Sequence, residues 1–159
     1  MSRIPFANEE DTLRKPFRSH RDSPGHQFKI LLVEDDRFYC LFLKQYLERL
    51  GYSVVEAGSL SEFKLFLNAE QPDAIISDIG FAETPEPTAP YLTLGGLIAL
   101  DWLVYQTHKP ETVIVISSTL TERLRQQFEY RGVTAIFEKP FAPDALARVL
   151  KQAARSTDI

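Results

Sequence analysis

Ile30-Leu31-Leu32-Val33-Glu34-Asp35-Asp36 is an unbroken apolar run that ends in three consecutive carboxylates. A short apolar run without polar alternation, beginning here at Lys29, reads as a strand buried on both faces. A helical pattern follows from Arg37 to Leu50, carried by Phe38, Leu41 and Phe42 and by Tyr39, Leu43, Tyr46, Leu47 and Leu50, until Gly51 stops it. The acids therefore sit where a strand hands over to a helix. Two further runs end in charged groups in the same way: Ala74-Ile75-Ile76-Ser77-Asp78, and the strand Val133–Phe137 with Lys139-Pro140-Phe141 behind it.

Outward from these runs, strand and helix alternate five times. A second strand is expected at Tyr52–Glu56, followed by a helix opened by the capping box Ser59-Leu60-Ser61-Glu62, with Phe63, Phe66 and Leu67 on one face. The third strand spans Asp73–Ser77, the fourth Thr112–Ser117. Between them a long loop through Pro85, Pro87 and Pro90 leads to a helix from about Gly96 to Thr107. A further helix runs from Thr121 to Arg131, and Pro143 suits the first turn of the last one. The fold class expected is α/β: a five-stranded parallel sheet, doubly wound, of flavodoxin-like (βα)5 order.

The 159 residues, 44% of them hydrophobic, suffice for one domain with a sizeable core. Residues 1–27 carry three prolines, five basic residues (Arg3, Arg14, Lys15, Arg18, Arg21) and four acidic ones, and read as a flexible arm. The domain is expected over 28–155, with 156–159 as a tail. A net charge of −4 and a pI near 5.4 argue against direct nucleic-acid contact. A single cysteine, Cys40, excludes an internal disulfide, and no histidine nearby in sequence could activate it, so it reads as a packing residue. Without a signal-peptide pattern or a membrane-spanning apolar stretch, the expected compartment is the cytoplasm.

If the strands are adjacent and parallel, their C-terminal ends share the sheet edge where such folds bind ligands. Asp35 or Asp36 could serve only as a helix N-cap. Three consecutive acids exceed that need, and a cation would relieve their repulsion. A cluster drawn from Glu34, Asp35 and Asp78 suits Mg²⁺ better than softer metals. Asp78 could ligate that metal, attack a phosphoryl group, or do both. Lys139 offers a mobile charge for a phosphoryl oxygen, and Ser117 a hydroxyl on the same edge.

Together these residues resemble the receiver domain of two-component response regulators, over about residues 28–155. Glu34 and Asp35 match the family's acidic pair, Asp78 its phosphoacceptor, Ser117 its switch hydroxyl, and Lys139-Pro140 its Lys-Pro pair. The resemblance implies that Asp78 takes a phosphoryl group from a histidine kinase or a histidine phosphotransfer protein. It implies Mg²⁺ held by Asp35, Asp78 and the backbone carbonyl of Gly80, with Glu34 contacting the metal through water. It implies signalling rather than enzymatic turnover, through a protein partner on the face of the fourth helix, fifth strand and fifth helix, here Arg123, Gln126, Gln127, Tyr130 and Thr134. Dimerisation on phosphorylation stays open.

Two departures stand out. The family's usual aromatic in the fifth strand is Ile136, and Phe137 beside it is expected to point to the other side of the sheet. The stretch between Asp78 and Ser117 is about ten residues longer than the common form, an insertion at about 81–95 next to the phosphoacceptor position. Trp102, on the helix after it, reads as packing. The chain ends soon after Leu150, which leads to the expectation of a stand-alone receiver. The alternative is a receiver-fold binding module that works without phosphate. A Mg²⁺-dependent phosphohydrolase built on Asp78 would want an acid two residues later, where Gly80 stands.

Overall fold

All five apolar runs become strands of one parallel sheet in the computed structural model, which describes residues 25–156. The elements are β1 (Lys29–Val33), α1 (Arg37–Arg49), β2 (Ser53–Ala57), α2 (Leu60–Glu70), β3 (Ala74–Asp78), β4 (Phe81–Ala82), β5 (Tyr91–Leu92), α3 (Gly95–Leu103), β6 (Thr112–Ser117), α4 (Glu122–Tyr130), β7 (Ala135–Glu138) and α5 (Pro143–Ser156). The sheet order is β2-β1-β3-β6-β7, the flavodoxin-like arrangement expected, with β3 at the centre. Val33 pairs with Ser77, Asp78 with Ile116, and Ser117 with Glu138, so the carboxyl ends of four strands finish close together.

The apolar runs do not alternate with polar residues because both faces of the sheet are covered. Ile30, Leu32, Ile76 and Ile114 pack against Leu43 and Leu47 of α1 and Leu146 and Leu150 of α5. Their strand neighbours Leu31, Val33, Ile75 and Val113 point the other way, onto Phe63 and Leu67 of α2 and Ala99 and Leu103 of α3. A smaller cluster joins Val115, Ile79 and Leu97 to Phe128 of α4. Cys40 is buried in the first core, where loss of water pushes its thiol up to about 11, as a packing residue should be. Trp102 packs edge-on against Phe63, with ring centroids 5.7 Å apart.

Several boundaries differ from the sequence reading. β7 begins at Ala135, because the Val133 N–H goes to the Phe128 carbonyl near the end of α4 and Thr134 closes a turn onto β6. The Thr134 N–H donates to the Val113 carbonyl at 2.8 Å, and its hydroxyl accepts from the Val113 N–H at 3.0 Å. α3 stops at Leu103, short of Thr107. Beyond it Val104 and Tyr105 are exposed, and the carbonyls of Trp102 and Leu103 accept the N–H groups of Tyr105 and Gln106 in tight turns. With no further apolar residue facing the core, nothing sustains another helical turn.

The largest difference is the insertion, expected as a long loop. Its two ends pair as the antiparallel hairpin β4–β5, with the prolines in the connection between them. Ala82 bridges Ser59, the N-cap of α2, and the Ser61 N–H donates to the Glu83 carbonyl at 3.0 Å. The insertion thereby satisfies one of the N–H groups that every helix start leaves without an intrahelical partner. Ser59 caps α2 as expected, accepting from the Glu62 N–H, while its hydroxyl donates to Glu62 Oε1 at 2.9 Å.

Of the expected arm, only its last three residues are described. His26 Nε2 lies 2.8 Å from Asp73 Oδ2, and the Gln27 amide donates to the Gly51 carbonyl. Residues 1–24 and 157–159 lie outside the described residues. Among the described residues no helix is long and apolar enough to cross a membrane. Phe81, which has no exposed surface and packs into the second core, anchors the hairpin. Phe81→Ala is expected to cost about 3–5 kcal/mol in urea unfolding, against well under 1 kcal/mol for a change at the exposed Pro87.

Candidate functional site

Glu34, Asp35, Asp78 and Lys139 meet at the carboxyl edge of the sheet. The three carboxylates each offer an oxygen within 4.8 Å of the others. Lys139 Nζ donates to Glu34 Oε2 at 2.6 Å and to Asp78 Oδ2 at 3.0 Å, and lies 4.2 Å from the centre of the Tyr39 ring. Each partner is held by its own backbone. The Glu34 N–H donates to the Ala57 carbonyl on the end of β2, and Asp78 Oδ1 accepts from the Ile79 N–H at 2.6 Å. The Lys139 N–H donates to the Ser117 carbonyl at 2.7 Å, and the Lys139–Pro140 peptide is cis.

The three consecutive acids divide their work. Asp36 is the N-cap of α1: its Oδ1 accepts from the N–H groups of Phe38 and Tyr39, both at 3.0 Å. Glu34 turns inward, almost wholly buried, and its Oε1 accepts from the Asp36 N–H at 3.1 Å. Asp35 remains exposed at the mouth of the pocket. The sequence left open which residue caps the helix; the answer is Asp36, which frees the other two for the cluster.

Electrostatics follow from burial. Loss of water raises Glu34 to about 7, a rise that the Asp78 charge adds to and the Lys139 hydrogen bond only partly reverses. Asp35, although exposed at the mouth, is raised as well, first by the partial loss of water around its carboxylate and next by the Asp78 charge. Burial alone would pull Lys139 down, but its hydrogen bond to Glu34 and the charges of Glu34 and Asp78 outweigh that and hold it up. The pocket is thus a crowded anionic site with a single ammonium inside it.

The other expected site residues are placed less directly. Ser117 is buried at the end of β6, where its Oγ accepts from the Thr119 N–H at 3.0 Å. Its hydroxyl makes no hydrogen bond to the Asp78 or Lys139 side chains among the described residues. Gly80 is buried two residues beyond Asp78. Ile136 packs with Val115 and Phe128 on the α4 side, while Phe137 stacks at 5.2 Å on Phe141 in the opposite core. Side-chain alternation along β7 separates the two as expected.

Four residues that shape the site escaped the sequence reading. Tyr39 counted there only as an apolar helix position, although its place four residues after Asp35 puts it one turn into α1. Gly95 and Gly96 let the start of α3 press onto the site. A Cβ at Gly96 would lie 2.8 Å from the Asp78 carbonyl oxygen, and the Gly96 N–H donates to the Ile79 carbonyl at 2.8 Å. Tyr91, from the insertion, rests its ring tip on Gly80, and no local pattern foretold that.

The pattern of response regulator receiver domains matches residues 30–151. The chain belongs to the response regulator receiver domain family. A CheY-like response regulator receiver domain protein from Methanospirillum hungatei superposes with a TM-score of 0.68 at 22% identity, covering 84% of this chain and 98% of that one. The N-terminal domain of an uncharacterized protein from Wolinella succinogenes is 31% identical, with a TM-score of 0.66 over 80% of this chain and 94% of that one. The BeF3-activated N-terminal receiver domain of RstA from Klebsiella pneumoniae gives 0.65 at 20% identity, over 80% and 98%. Sequence comparison with curated proteins finds no match. Family membership places the receiver in two-component signalling, as a module that generally signals rather than catalyses turnover.

The raised Glu34 makes stability depend on pH. An acid that binds its proton more tightly when folded stabilises the fold fully below its unfolded value of 4.5, and loses that contribution as pH rises towards about 7. In metal-free protein the unfolding free energy of the native chain relative to Glu34→Gln is therefore expected to fall between these two values, by on the order of 3 kcal/mol. Urea unfolding of both proteins across that range reads it; parallel pH profiles would show that Glu34 does not carry the effect.

Proposed function

We propose that the receiver takes a phosphoryl group on Asp78 from a phosphohistidine and signals by binding another protein. The observation that carries this reading is the Lys139 ammonium bridging Glu34 and Asp78 with Asp35 beside them. A purely structural core has no use for three carboxylates around one cation at a sheet edge. The donor set is all oxygen and few in number, which suits Mg²⁺. Asp35, Asp78 and the Gly80 carbonyl would hold it directly, with Glu34 acting through water. When bound, it would supply positive charge to the phosphoryl oxygens.

The chain's own residues account for the rest. An Asp78 carboxylate oxygen attacks the phosphorus, the P–N bond to the donor imidazole breaks, and the imidazole nitrogen keeps the electron pair and takes up a proton. Lys139, on its flexible stem, moves from the two carboxylates to a phosphoryl oxygen, so the charge leaving Asp78 stays paired. Ser117 is one strand away with a hydroxyl hydrogen to offer, and reaching the phosphate requires it to give up the Thr119 N–H. That exchange moves the loop ahead of α4. The exposed side chains of Arg123, Gln126, Gln127, Tyr130 and Thr134 then form the surface a partner reads. With Ile136 in place of an aromatic, the response runs through this loop. The reaction is a single transfer rather than turnover, since Gly80 offers no acid for fast hydrolysis. A cytoplasmic location fits a soluble histidine-phosphate donor.

Intact mass after incubation with Mg²⁺ and acetyl phosphate tests the reading. An adduct of about 80 Da is expected on the native chain, absent from Asp78→Asn and without Mg²⁺, and formed at least tenfold more slowly by Lys139→Ala. No adduct from acetyl phosphate or from phosphorylated histidine kinases would favour a receiver that binds partners without phosphate.

A further inference from the structure

The insertion carries an aromatic side chain to the rim of the proposed phosphorylation pocket on a backbone that is fastened down. Tyr91 pairs with Ala82, Ala82 bridges Ser59, and the Glu83 N–H donates to the Pro90 carbonyl at 2.9 Å. Beneath them Phe81 is fully buried, its ring filling the space that a side chain at Gly95 would need. The strand bearing Tyr91 is therefore a fixed part of the domain, not a loop that swings.

Its ring ends on Gly80. A Cβ added at Gly80 would collide with the Tyr91 hydroxyl oxygen and lie 3.0 Å from Cζ and 3.2 Å from Cε1. The tyrosine occupies the room that any other residue two positions after Asp78 would use for its own side chain. The hydroxyl also lies within the field of Asp35, Asp78 and Glu34, which, after loss of water, hold its pKa up. The remaining flanks of Asp78 are taken. Lys139 is on Oδ2, the Ile79 N–H on Oδ1, and the start of α3 presses on the backbone behind at Gly96. Asp35 and the Tyr91 hydroxyl stand near the remaining side of the carboxylate.

The geometry points to the Tyr91 ring as the wall that meters access of water and small phosphodonors to Asp78. This role rests on Asp78 being the phosphoacceptor. Hydrolysis requires a water oxygen to form a bond to phosphorus in line with the P–O bond to Asp78. That bond then breaks, the carboxylate keeps its electron pair, and the proton of the attacking water passes to phosphate or solvent. A wall beside the pocket lowers the fraction of encounters that reach this line, and it does the same to a small donor arriving to phosphorylate Asp78. Tyr91 is a positioning residue whose ring matters and whose hydroxyl does not.

The test follows adduct formation from acetyl phosphate, and adduct decay after the donor is removed, by intact mass on the full chain with Mg²⁺. Tyr91→Ala is expected to speed both by about fivefold, and Tyr91→Phe to stay within about twofold of native. A residue that merely held the pocket together would slow phosphorylation when removed, so faster formation together with faster decay separates the two roles. Urea unfolding checks that Tyr91→Ala remains folded; if it does not, Tyr91→Leu, with a smaller side chain, is expected to fall between native and the open pocket. Native decay in the variant that removes the ring, or slowed formation, overturns the role of Tyr91 while leaving Asp78 as acceptor. Failure of the native chain to form any adduct overturns both.

Discussion

One ammonium group organises the site. Lys139 spans Glu34 and Asp78, which leave the ends of two neighbouring strands, and it arrives from the edge strand β7. Two carboxylates so close and so poorly hydrated repel each other, and burial raises the cost of keeping Glu34 ionised. The pairing energy of such a buried cluster is largely offset by desolvation, so it contributes little net stability. Its consequence is poise: the lysine holds the Asp78 carboxylate in place from the end of a flexible four-carbon stem.

The frame around this group is built from bonds that do not use the carboxylates of Glu34, Asp35 or Asp78. Val33 pairs with Ser77, the Glu34 N–H reaches Ala57, and the Lys139 N–H reaches Ser117, so the strand ends align before any side chain is considered. Asp36 ties the first acid run to α1, and the Gly96 N–H ties Ile79, the residue after Asp78, to α3. A register slip of one residue on β1 or β3 would turn the acids into the core and the leucines outward, which the two hydrophobic layers forbid. Packing thus sets the position of the chemistry.

The insertion shows how a receiver accepts extra chain beside its most constrained point. It adds no exposed sheet edge to the central sheet. It closes on itself as a hairpin, gives its Glu83 carbonyl to the start of α2, and buries Phe81 beneath Gly95. The prolines, none of which could donate to a strand ladder, fall in the connection. Loop insertions cost little in closure entropy, and this one recovers part of it by docking.

The five strands, the order of elements, and the four residues Glu34, Asp35, Asp78 and Lys139 were legible in the amino-acid sequence. Buried parallel strands need continuous apolar runs, and charged groups directly after such runs must face the ligand edge. The end of α3 and the start of β7 were not, because both depend on which side chains find a core to face and which carbonyls a turn claims first. The hairpin was not, because two-residue strands have no period to read. Nor could local pattern assign Asp36 rather than Asp35 to the helix cap, or bring Tyr39 under Lys139 and Tyr91 onto Gly80. The cap is settled by Glu34 turning into the site, and the two tyrosine contacts join residues that no local period links, so only the packing of helices and hairpin against the finished sheet brings them together.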